Sequence, residues 1–268
     1  MELHEFTIHI PKRQRVSIIP LGDTHIGSKA CAIDKLKELV AWIRKTPDVY
    51  VVGMGDYIDA INLSDPRFNP SLLSDKTVLS RLAQSQCEEC VDIFKPIAPK
   101  IIGMAIGNHE MTIGKKYHFD AMYQICGQLK AKYLGWSSLT RLRILRNKCS
   151  NIINIFAEHS LSAGKKKGAK VNALEDRSND IEADIYLRGH SHDKLATTKV
   201  MLCLPKDGSL RLGVKKRVYA ICPSFYNAYP EGAMTYGEIA GYPPTTTGVI
   251  KIDIEIKRDD TFDYHIWQ

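Results

Sequence analysis

Short apolar runs alternate with segments of helical periodicity through the first two thirds of the chain, and this alternation limits the possible folds most strongly. The apolar runs cover residues 16–21, 49–54, 101–106, 152–156 and 185–187. The helical segments cover residues 33–44, 77–94 and 117–130. The runs are apolar throughout, without the alternation of a half-exposed strand, and they therefore predict strands buried on both faces. Such strands separated by helices predict an α/β fold.

The last third of the chain has a different pattern, which predicts mainly antiparallel strands. The predicted elements are strands at 196–204, 209–222, 248–256 and 262–267 and a Gly-, Pro- and Tyr-rich loop at 224–247. The tight-turn sequence at 206–208 indicates that the first two of these strands form a hairpin. No segment resembles a linker, so we expect one domain over residues 1–268.

Composition and charge indicate the cellular compartment and the kinds of partner to expect. No stretch of 18 apolar residues occurs, so we expect neither a membrane span nor a membrane partner. The first residues lack the pattern of a signal peptide, and the seven scattered cysteines do not suggest a disulfide framework, so we expect a cytoplasmic protein. Cys87 and Cys90 form a lone CxxC within a predicted helix and are interpreted as ordinary helix residues. A net charge of +7 weakly favours anionic partners, and no protein partner is predicted.

Polar residues of a narrow set of types follow every apolar run. The sequences that follow the five runs are GDTH at 22–25, GDYID at 55–59, GNHE at 107–110, AEH at 157–159 and GHSH at 189–192. Ligands of open α/β sheets bind beyond the carboxyl ends of the strands. Five such ends would bring two Asp, one Asn and several His into one pocket. The remaining histidines, which we interpret as structural or surface residues, are His4, His9, His118 and His265.

This ordered set, D-x-H, GD-x-x-D, GNH, a single H and GH-x-H, resembles the calcineurin-like metallophosphoesterase superfamily from Asp23 to His192. The resemblance implies a four-layer αββα sandwich, with two mixed β-sheets flanked by helices and a site for two metal ions. By this resemblance the ligands of the first metal would be Asp23, His25 and His192. Those of the second would be Asn108, His159 and His190. Asp56 would bridge the two ions, and His109 would be the catalytic histidine, oriented by Asp59.

The residue types also define the chemistry. Imidazole, carboxylate and amide oxygen together suit Mn, Fe, Zn, Ni or Co better than Mg or Ca, and we expect two divalent ions, with Mn first. The resemblance implies in-line attack on the phosphate ester by a hydroxide that bridges the metals. Two divalent ions, two aspartates and one hydroxide leave a net charge of about +1, which attracts a phosphate. His109 is placed to protonate the leaving group, and a carboxylate such as Asp59 would favour its protonated form.

Several positions bear on the substrate. Ala60 stands where protein Ser/Thr phosphatases of the superfamily have Arg, which argues against that branch, whereas Glu110 stands where its DNA nucleases usually have Asp. The GH-x-H ending is shared with phosphodiesterases and nucleases. We therefore expect phosphodiester substrates, with nucleic acid as a possible partner. The alternatives are a phosphomonoesterase or nucleotide phosphatase, and a non-catalytic binding module of the same fold.

Two further segments could bind the substrate. The basic stretch 164–170, with Lys165, Lys166, Lys167 and Lys170, suggests a flexible loop that captures phosphate, although a solvated surface loop has the same composition. Arg67, in the long connection after the second motif, could contact a phosphate or simply close that loop. The tyrosines of the last loop could stack on bases or cover it, and they are Tyr226, Tyr229, Tyr236 and Tyr242.

Overall fold

A computed structural model describes residues 1–10, 15–146, 149–161, 164, 166–205, 208–257 and 261–268. The strands of the described residues are β1 Glu2–His9, β2 Arg15–Leu21, β3 Val49–Gly53, β4 Ile101–Met104, β5 Ser137–Arg146, β6 Cys149–His159, β7 Ile185–Gly189, β8 Leu195–Cys203, β9 Gly213–Ile221, β10 Lys251–Ile256 and β11 Phe262–Trp267. Their α-helices are α1 Ile33–Lys45, α2 Leu82–Phe94, α3 Asn108–Tyr117, α4 Ala121–Leu129, α5 Lys167–Asp180 and α6 Tyr236–Ile239. Short 3₁₀ helices cover Pro70–Leu72, Leu79–Arg81 and Lys95–Lys100.

The strands form two mixed sheets whose parallel strands end near one another. The six-stranded sheet has the order β1-β5-β6-β7-β9-β8, and the five-stranded sheet has the order β11-β10-β2-β3-β4. The five-stranded sheet contains three neighbouring parallel strands, β2, β3 and β4. The six-stranded sheet contains another three, β6, β7 and β9. The runs predicted as buried strands lie in these parallel groups, and the predicted α/β fold is confirmed.

Three apolar clusters divide the molecule into layers. The inner faces of both sheets share one cluster, which includes Ile18, Val52, Ile155 and Leu187. A second cluster joins the outer face of the five-stranded sheet to α1, α2 and α4, and a third joins the six-stranded sheet to α5. The αββα order of layers is therefore confirmed. Cys87 and Cys90 lie fully buried in the second cluster, where burial raises the pKa of both thiols, as expected of core helix residues.

Some predicted elements differ from the structure. The helix predicted over 117–130 is wrong, because α3 ends at Tyr117 and His118 has a left-handed backbone with φ of 54°. A new helix, α4, begins after Asp120, whose side chain accepts a hydrogen bond from the amide of Tyr123. β8 and β9 pair in antiparallel fashion as predicted, although residues 206 and 207 of their connection lie outside the described residues. Within the described part of the chain, no helix has the length and apolarity needed to cross a bilayer.

Candidate metal centre

The predicted ligands lie where the carboxyl ends of parallel strands from both sheets come together. These residues and the strands that precede them are Asp23 (β2), Asp56 (β3), Asn108 (β4), His159 (the end of β6), and His190 and His192 (β7). Each sheet thus contributes about half of the polar groups, and the site lies at one edge of the sandwich. This is the position at which open α/β sheets bind their ligands.

The backbone of the site is strained at most of the candidate ligands. Positive φ angles occur at Asp23 (48°), His25 (48°), Asp56 (52°), His190 (80°) and His192 (56°). A residue with a side chain adopts this conformation at a cost of about 1–3 kcal/mol, and such residues concentrate at functional sites. The surrounding fold therefore holds these side chains in positions that a relaxed turn would not give them.

Two glycines of the motifs allow the strand ends to approach closely. A Cβ atom on Gly107 would lie 2.0 Å from Oδ1 of Asp56, and one on Gly189 would lie 2.5 Å from the carbonyl oxygen of Met54. Neither position has room for a side chain. The glycines before Asn108 and His190 are thus required by packing within the site.

One group of ligand atoms comes from Asp23, His25 and His192. The Nε2 atoms of His25 and His192 lie 3.3 Å apart, and Nε2 of His192 lies 3.4 Å from Oδ1 of Asp23. The candidate ligand atoms of all three residues lie within 4.8 Å of one another. The structure therefore brings together the three residues predicted for the first metal.

A second group of ligand atoms comes from Asp56, His159 and His190, again within 4.8 Å of one another. Nδ1 of His159 donates a hydrogen bond to the carbonyl oxygen of Met54 at 2.7 Å, which turns Nε2 towards the group. That Nε2 lies 3.1 Å from Oδ1 of Asn108 and 3.3 Å from Oδ2 of Asp56. The residues predicted for the second metal are therefore also neighbours.

Asp56 connects the two groups. Its carboxylate also belongs to a third set of atoms within 4.8 Å, together with His25 and His109. One oxygen of Asp56 accepts a hydrogen bond from the backbone amide of His109 at 2.9 Å, which fixes the orientation of the carboxylate. Asp56 is thus the residue that lies against ligands of both predicted metals.

Burial and charge prepare the site for a cation. Burial lowers the pKa of His25, and burial together with the ring of His159 lowers the pKa of His190 to about 4, so both rings are neutral as metal binding requires. Burial would lower the pKa of His159, but the Asp56 carboxylate raises it to about 9. Burial would also raise the pKa of Asp56, yet the rings of His109 and His159 hold it well below its usual value. Positive charge is therefore favoured beside Asp56, and a metal ion would replace the proton.

The residues fit a pair of transition-metal ions. Among the described residues, Nδ1 of His190 is buried without a hydrogen-bond partner, which is costly unless a ligand satisfies this atom. The donors are imidazole nitrogens, two aspartates and one amide oxygen, a mixture that suits Mn, Fe, Co, Ni or Zn. The donor types and the unpartnered nitrogen of His190 are both consistent with a bound metal ion.

His109 contacts Asp59 as predicted, although through a different group. Its Nδ1 donates a hydrogen bond to the backbone carbonyl oxygen of Asp59, and this leaves Nε2 unengaged by that bond. The carboxylate of Asp59 lies instead beside His25, with 3.4 Å between Oδ1 and Nδ1. Burial would lower the pKa of His109, but the charges of Asp56 and Asp59 raise it above its usual value. The protonated ring is thus favoured, as the sequence predicted.

Glu110 is a site residue whose role the sequence analysis missed. Its buried carboxylate accepts hydrogen bonds from the backbone amides of Asp56 (3.0 Å), Tyr57 (2.6 Å), Ile58 (3.1 Å) and Gly107 (2.9 Å). It therefore ties the loop after β3 to the start of α3. The signal was available, because a Glu in the third position of a helix is the reciprocal partner in a capping box.

Arg67 lies near the site, but its partners are protein groups. Its guanidinium pairs with Asp65 through two bonds of 3.0 and 2.9 Å and lies 5.3 Å above the ring of Tyr236. Tyr236 stacks on Tyr226, which in turn contacts the ring of His25 at 5.1 Å. These aromatic rings form a wall that runs outwards from the first group of ligands to Arg67.

The lysines of the basic stretch fall into two classes. Lys165 lies outside the described residues, whereas Lys166 and Lys167 are exposed at the beginning of α5. The flexible loop predicted over 164–170 is wrong from Lys167 onwards, where the chain is helical. The two exposed lysines remain candidates for contact with a phosphate.

Lys170, one turn further along α5, has a structural position that the sequence did not indicate. Its ammonium group donates to the carbonyl oxygen of Ser191 at 3.2 Å and pairs with the carboxylate of Asp193. Ser191 lies between His190 and His192, and Asp193 follows them. Lys170 therefore fastens the loop of both histidines to α5.

A buried ion pair between β6 and β7 also stabilises this region. Arg188 and Glu158, which precede Gly189 and His159, are 1% and 4% exposed, and Nε of Arg188 donates to Oε1 of Glu158 at 2.8 Å. Arg188 also donates to a carbonyl oxygen of α5 at 3.0 Å. The ends of β6 and β7 are thus joined to each other and to α5.

The family model of the calcineurin-like phosphoesterases matches residues 16–194. No curated protein matches the chain in sequence at a significant level.

Three solved structures that are similar to the chain have sequence identities of 10–12%. Vps29 from Chaetomium thermophilum has 10% identity and a TM-score of 0.40, with 94% of this chain and 95% of that chain covered. GAP50, described as the anchor in the inner membrane complex of Plasmodium, has 10% identity and a TM-score of 0.49, with 95% and 84% covered. A metallophosphoesterase from Sphaerobacter thermophilus has 12% identity and a TM-score of 0.39, with 94% and 89% covered.

Proposed function

The chain belongs to the calcineurin-like phosphoesterase family, and from this premise we propose that it is a binuclear metal-dependent hydrolase of phosphodiesters. The observation that carries the proposal is that the carboxylate of Asp56 lies against ligand atoms of both groups. Every position at which the family motif requires a ligand holds a side chain that can bind a metal. In support of the proposal, the ligand atoms within each group lie within 4.8 Å of one another, and Oδ1 of Asn108 lies 3.1 Å from Nε2 of His159. A binding module that had lost its chemistry would have no need of this complete set.

The proposed ligands are the side chains whose candidate ligand atoms lie close together. The first ion would be held by Asp23, His25 and His192, the second by Asn108, His159 and His190, and both by Asp56. Bound divalent ions supply Lewis acidity to a phosphoryl group and lower the pKa of coordinated water. We take Mn as the first candidate because the donors mix imidazole with oxygen, with Fe, Zn, Ni and Co as alternatives.

His109 provides the proton for the leaving group in this proposal. Its Nδ1 is held by the Asp59 carbonyl oxygen, so a proton carried on Nε2 can be directed to the substrate. The charges of Asp56 and Asp59 raise the pKa of His109, which favours the protonated ring. The rate gain expected from a positioned general acid is about 10²–10⁴-fold.

Substrate contacts come from the rim of the site. The positive side chains proposed to contact the substrate phosphate are Arg67, Lys166 and Lys167. Lys165, which lies outside the described residues, is proposed for the same role from its place in the basic stretch. The GH-x-H ending and the net charge of +7 support a phosphodiester, with nucleic acid or a nucleotide ester as the class we favour. The cysteines are free thiols, five of them buried, which supports a reducing, cytoplasmic location.

The direct test compares a diester with a monoester on the same protein. Metal-loaded protein should hydrolyse bis-p-nitrophenyl phosphate with a higher kcat/KM than p-nitrophenyl phosphate. Faster turnover of the monoester would instead assign the site to a phosphomonoesterase. Absence of turnover on both, and on a panel of nucleic acids and nucleotides, would contradict the hydrolase itself.

A further inference from the structure

The hairpin of β8 and β9 extends the inner face of the six-stranded sheet. Val218 of β9 belongs to the core that the two sheets share, and Thr198 of β8 lies directly opposite it. Directly opposite residues of an antiparallel pair lie on the same face, and so do residues two apart along a strand. Val200, Leu202 and Val214 therefore belong to this same inner face.

The inner face becomes exposed towards the tip of the hairpin. Asp263 of the five-stranded sheet still contacts Lys216 of β9. From there to the tip the apolar side chains are 57–72% exposed, and they are Val200, Leu202, Leu204, Leu212 and Val214. Together they expose apolar surface on the order of 500 Å², as much as the largest patch of a typical monomer, and patches of this size are often interaction sites.

Strand β8 also has an open edge. It is the last strand of the six-stranded sheet and pairs, among the strands of the described residues, with β9 alone. Its register with β9 is continuous from Leu195 to Cys203, and its sequence contains no Pro. Its one lysine, Lys199, pairs with Glu175 of α5 on the outer side of the sheet. The bulges, prolines and free lysines that commonly protect an edge from another strand are thus missing from β8.

The charges of the hairpin favour a neutral partner. Each lysine of β8 and β9 is paired with a carboxylate of the same molecule. The pairs are Lys199 with Glu175, Lys215 with Glu182 and Lys216 with Asp263. An anionic lipid surface or a nucleic acid binds through positive charges that are free to meet it. The paired lysines therefore give the apolar face little attraction for either.

The open edge of β8 complements itself. An antiparallel strand edge can pair with an identical edge about a two-fold axis, so that each copy offers the other the same residues. In that arrangement Val200 and Leu202 of one copy lie against the aliphatic side chains of the other, on one face of the joined sheet. Aliphatic pairs across neighbouring strands stabilise a sheet, and the main-chain bonds add the directional part of the contact.

We propose that this surface binds a second copy of the chain, with β8 of each copy paired antiparallel to β8 of the other. The two apolar inner faces then cover each other at the junction. Strand β8 begins three residues after His192 and runs antiparallel to β9, which is parallel to β7. The hairpin tip therefore points away from the metal centre, and the contact leaves the site open. This inference goes beyond the proposed hydrolase function and does not depend on it.

Sedimentation velocity of the purified full chain measures whether the contact forms. The wild type should sediment as two chains of 30.2 kDa at micromolar concentration. L202E should sediment as one chain, because the dimer would bury two carboxylates without partners. L202T, which keeps a good strand residue, should raise the Kd of the dimer about tenfold. L3E is the matched control and should remain a dimer, since Leu3 is 73% exposed on β1, the edge strand at the other end of the same sheet.

The alternatives give different results. A wild type that stays monomeric, or a dimer that survives both L202E and L202T, would overturn the inference. Dissociation by L3E would place the contact at β1 and overturn it as well. Binding of a monomeric wild type to phosphatidylcholine vesicles, lost in L202E, would overturn it in favour of a lipid surface. A dimer that hydrolyses no phosphate ester would contradict the hydrolase and leave this contact standing.

Discussion

At the level of single residues, Asp56 and His109 lie side by side but have different surroundings. Asp56 contacts both ligand groups and accepts the backbone amide of His109. His109 is fixed through Nδ1 by a main-chain carbonyl oxygen, so its orientation does not depend on a metal ligand. Mutation should therefore distinguish the two residues. A change at Asp56 should reduce metal binding, whereas a change at His109 should reduce turnover.

Replacement of His109 by Ala should lower turnover by about 10²–10⁴-fold, because the leaving group loses its proton donor. The metal content of the variant should equal that of the wild type. H265A is the matched control, since His265 is an exposed histidine of β11 whose side chain is 46% exposed. A loss of metal from H109A would contradict the assignment and make His109 a ligand, and an unchanged rate would remove it from the reaction.

The sequence predicted which polar side chains lie together at the site, because their positions depend on where buried strands end. The contacts around them depend on the shape of the loops, and these could not be predicted in the same way. The sequence does not reveal that the loop after β3 turns the carbonyl oxygen of Asp59, rather than its carboxylate, to His109. Nor does it reveal that four amides from two loops converge on Glu110.

At the level of elements, α5 supports the site from outside the six-stranded sheet. Lys170 holds the loop between His190 and His192, and the main chain of α5 accepts a hydrogen bond from Arg188. Both histidines have positive φ angles, so this loop needs contacts that keep it from relaxing. Helix α5 thus stabilises the geometry of residues that it does not itself provide.

Replacement of Lys170 by Met should weaken metal binding by about 10–100-fold, the usual effect of removing a group that orients the ligands. K170R should restore much of the affinity, because an Arg can also reach Asp193 and the carbonyl oxygen of Ser191. K167M, on the exposed first residue of α5, is the control and should bind metal normally. Normal metal affinity in K170M, measured by titration of the metal-free protein, would show that the contact only stabilises the fold.

Element prediction succeeded for the strands buried on both faces, whereas β1, β5 and α5, each buried on one side only, were missed. Strand β5 alternates buried Leu142 and Ile144 with outward Arg141 and Arg143, and the arginines pair with Glu5 of β1. Neither β1 nor β5 has a continuous apolar run, so both were missed. Helix α5 was missed because it has a single fully buried side chain, Leu174, and its first turn is rich in Lys.

At the level of the whole molecule, the two sheets meet in a shared core and are also joined by charge at one edge. Asp263 of β11 pairs with Lys216 of β9, which belongs to the other sheet, and lies 3.2 Å from Nζ of Lys257. The hydrogen bond from Lys216 lowers the pKa of Asp263 to about 2. The ionised carboxylate is therefore more stable in the folded protein than in the unfolded chain.

This shift predicts how stability depends on pH. The contribution of Asp263 is complete above its unfolded pKa, near 4, and disappears as the pH falls through about 2. Chelator-treated D263N should therefore lose about 0.5–1 kcal/mol of unfolding free energy at pH 7 relative to the wild type, and only a small part of that at pH 2, where the wild-type carboxylate is half protonated. Asp75, whose side chain is 98% exposed, gives the control D75N. An equal loss for D263N at both pH values in urea unfolding would contradict the ionic origin of the effect.

We infer that this edge of the sandwich is a two-metal centre for phosphoester hydrolysis. It is tested by removing metal with a chelator, reloading with Mn²⁺, and measuring bound ions per chain together with turnover of bis-p-nitrophenyl phosphate. We predict two ions per chain, turnover that returns only with them, and a concerted loss of both ions in D56N, because Asp56 lies against both groups. Retention of no transition-metal ion after loading, or equal turnover with and without metal, would contradict a two-metal hydrolase.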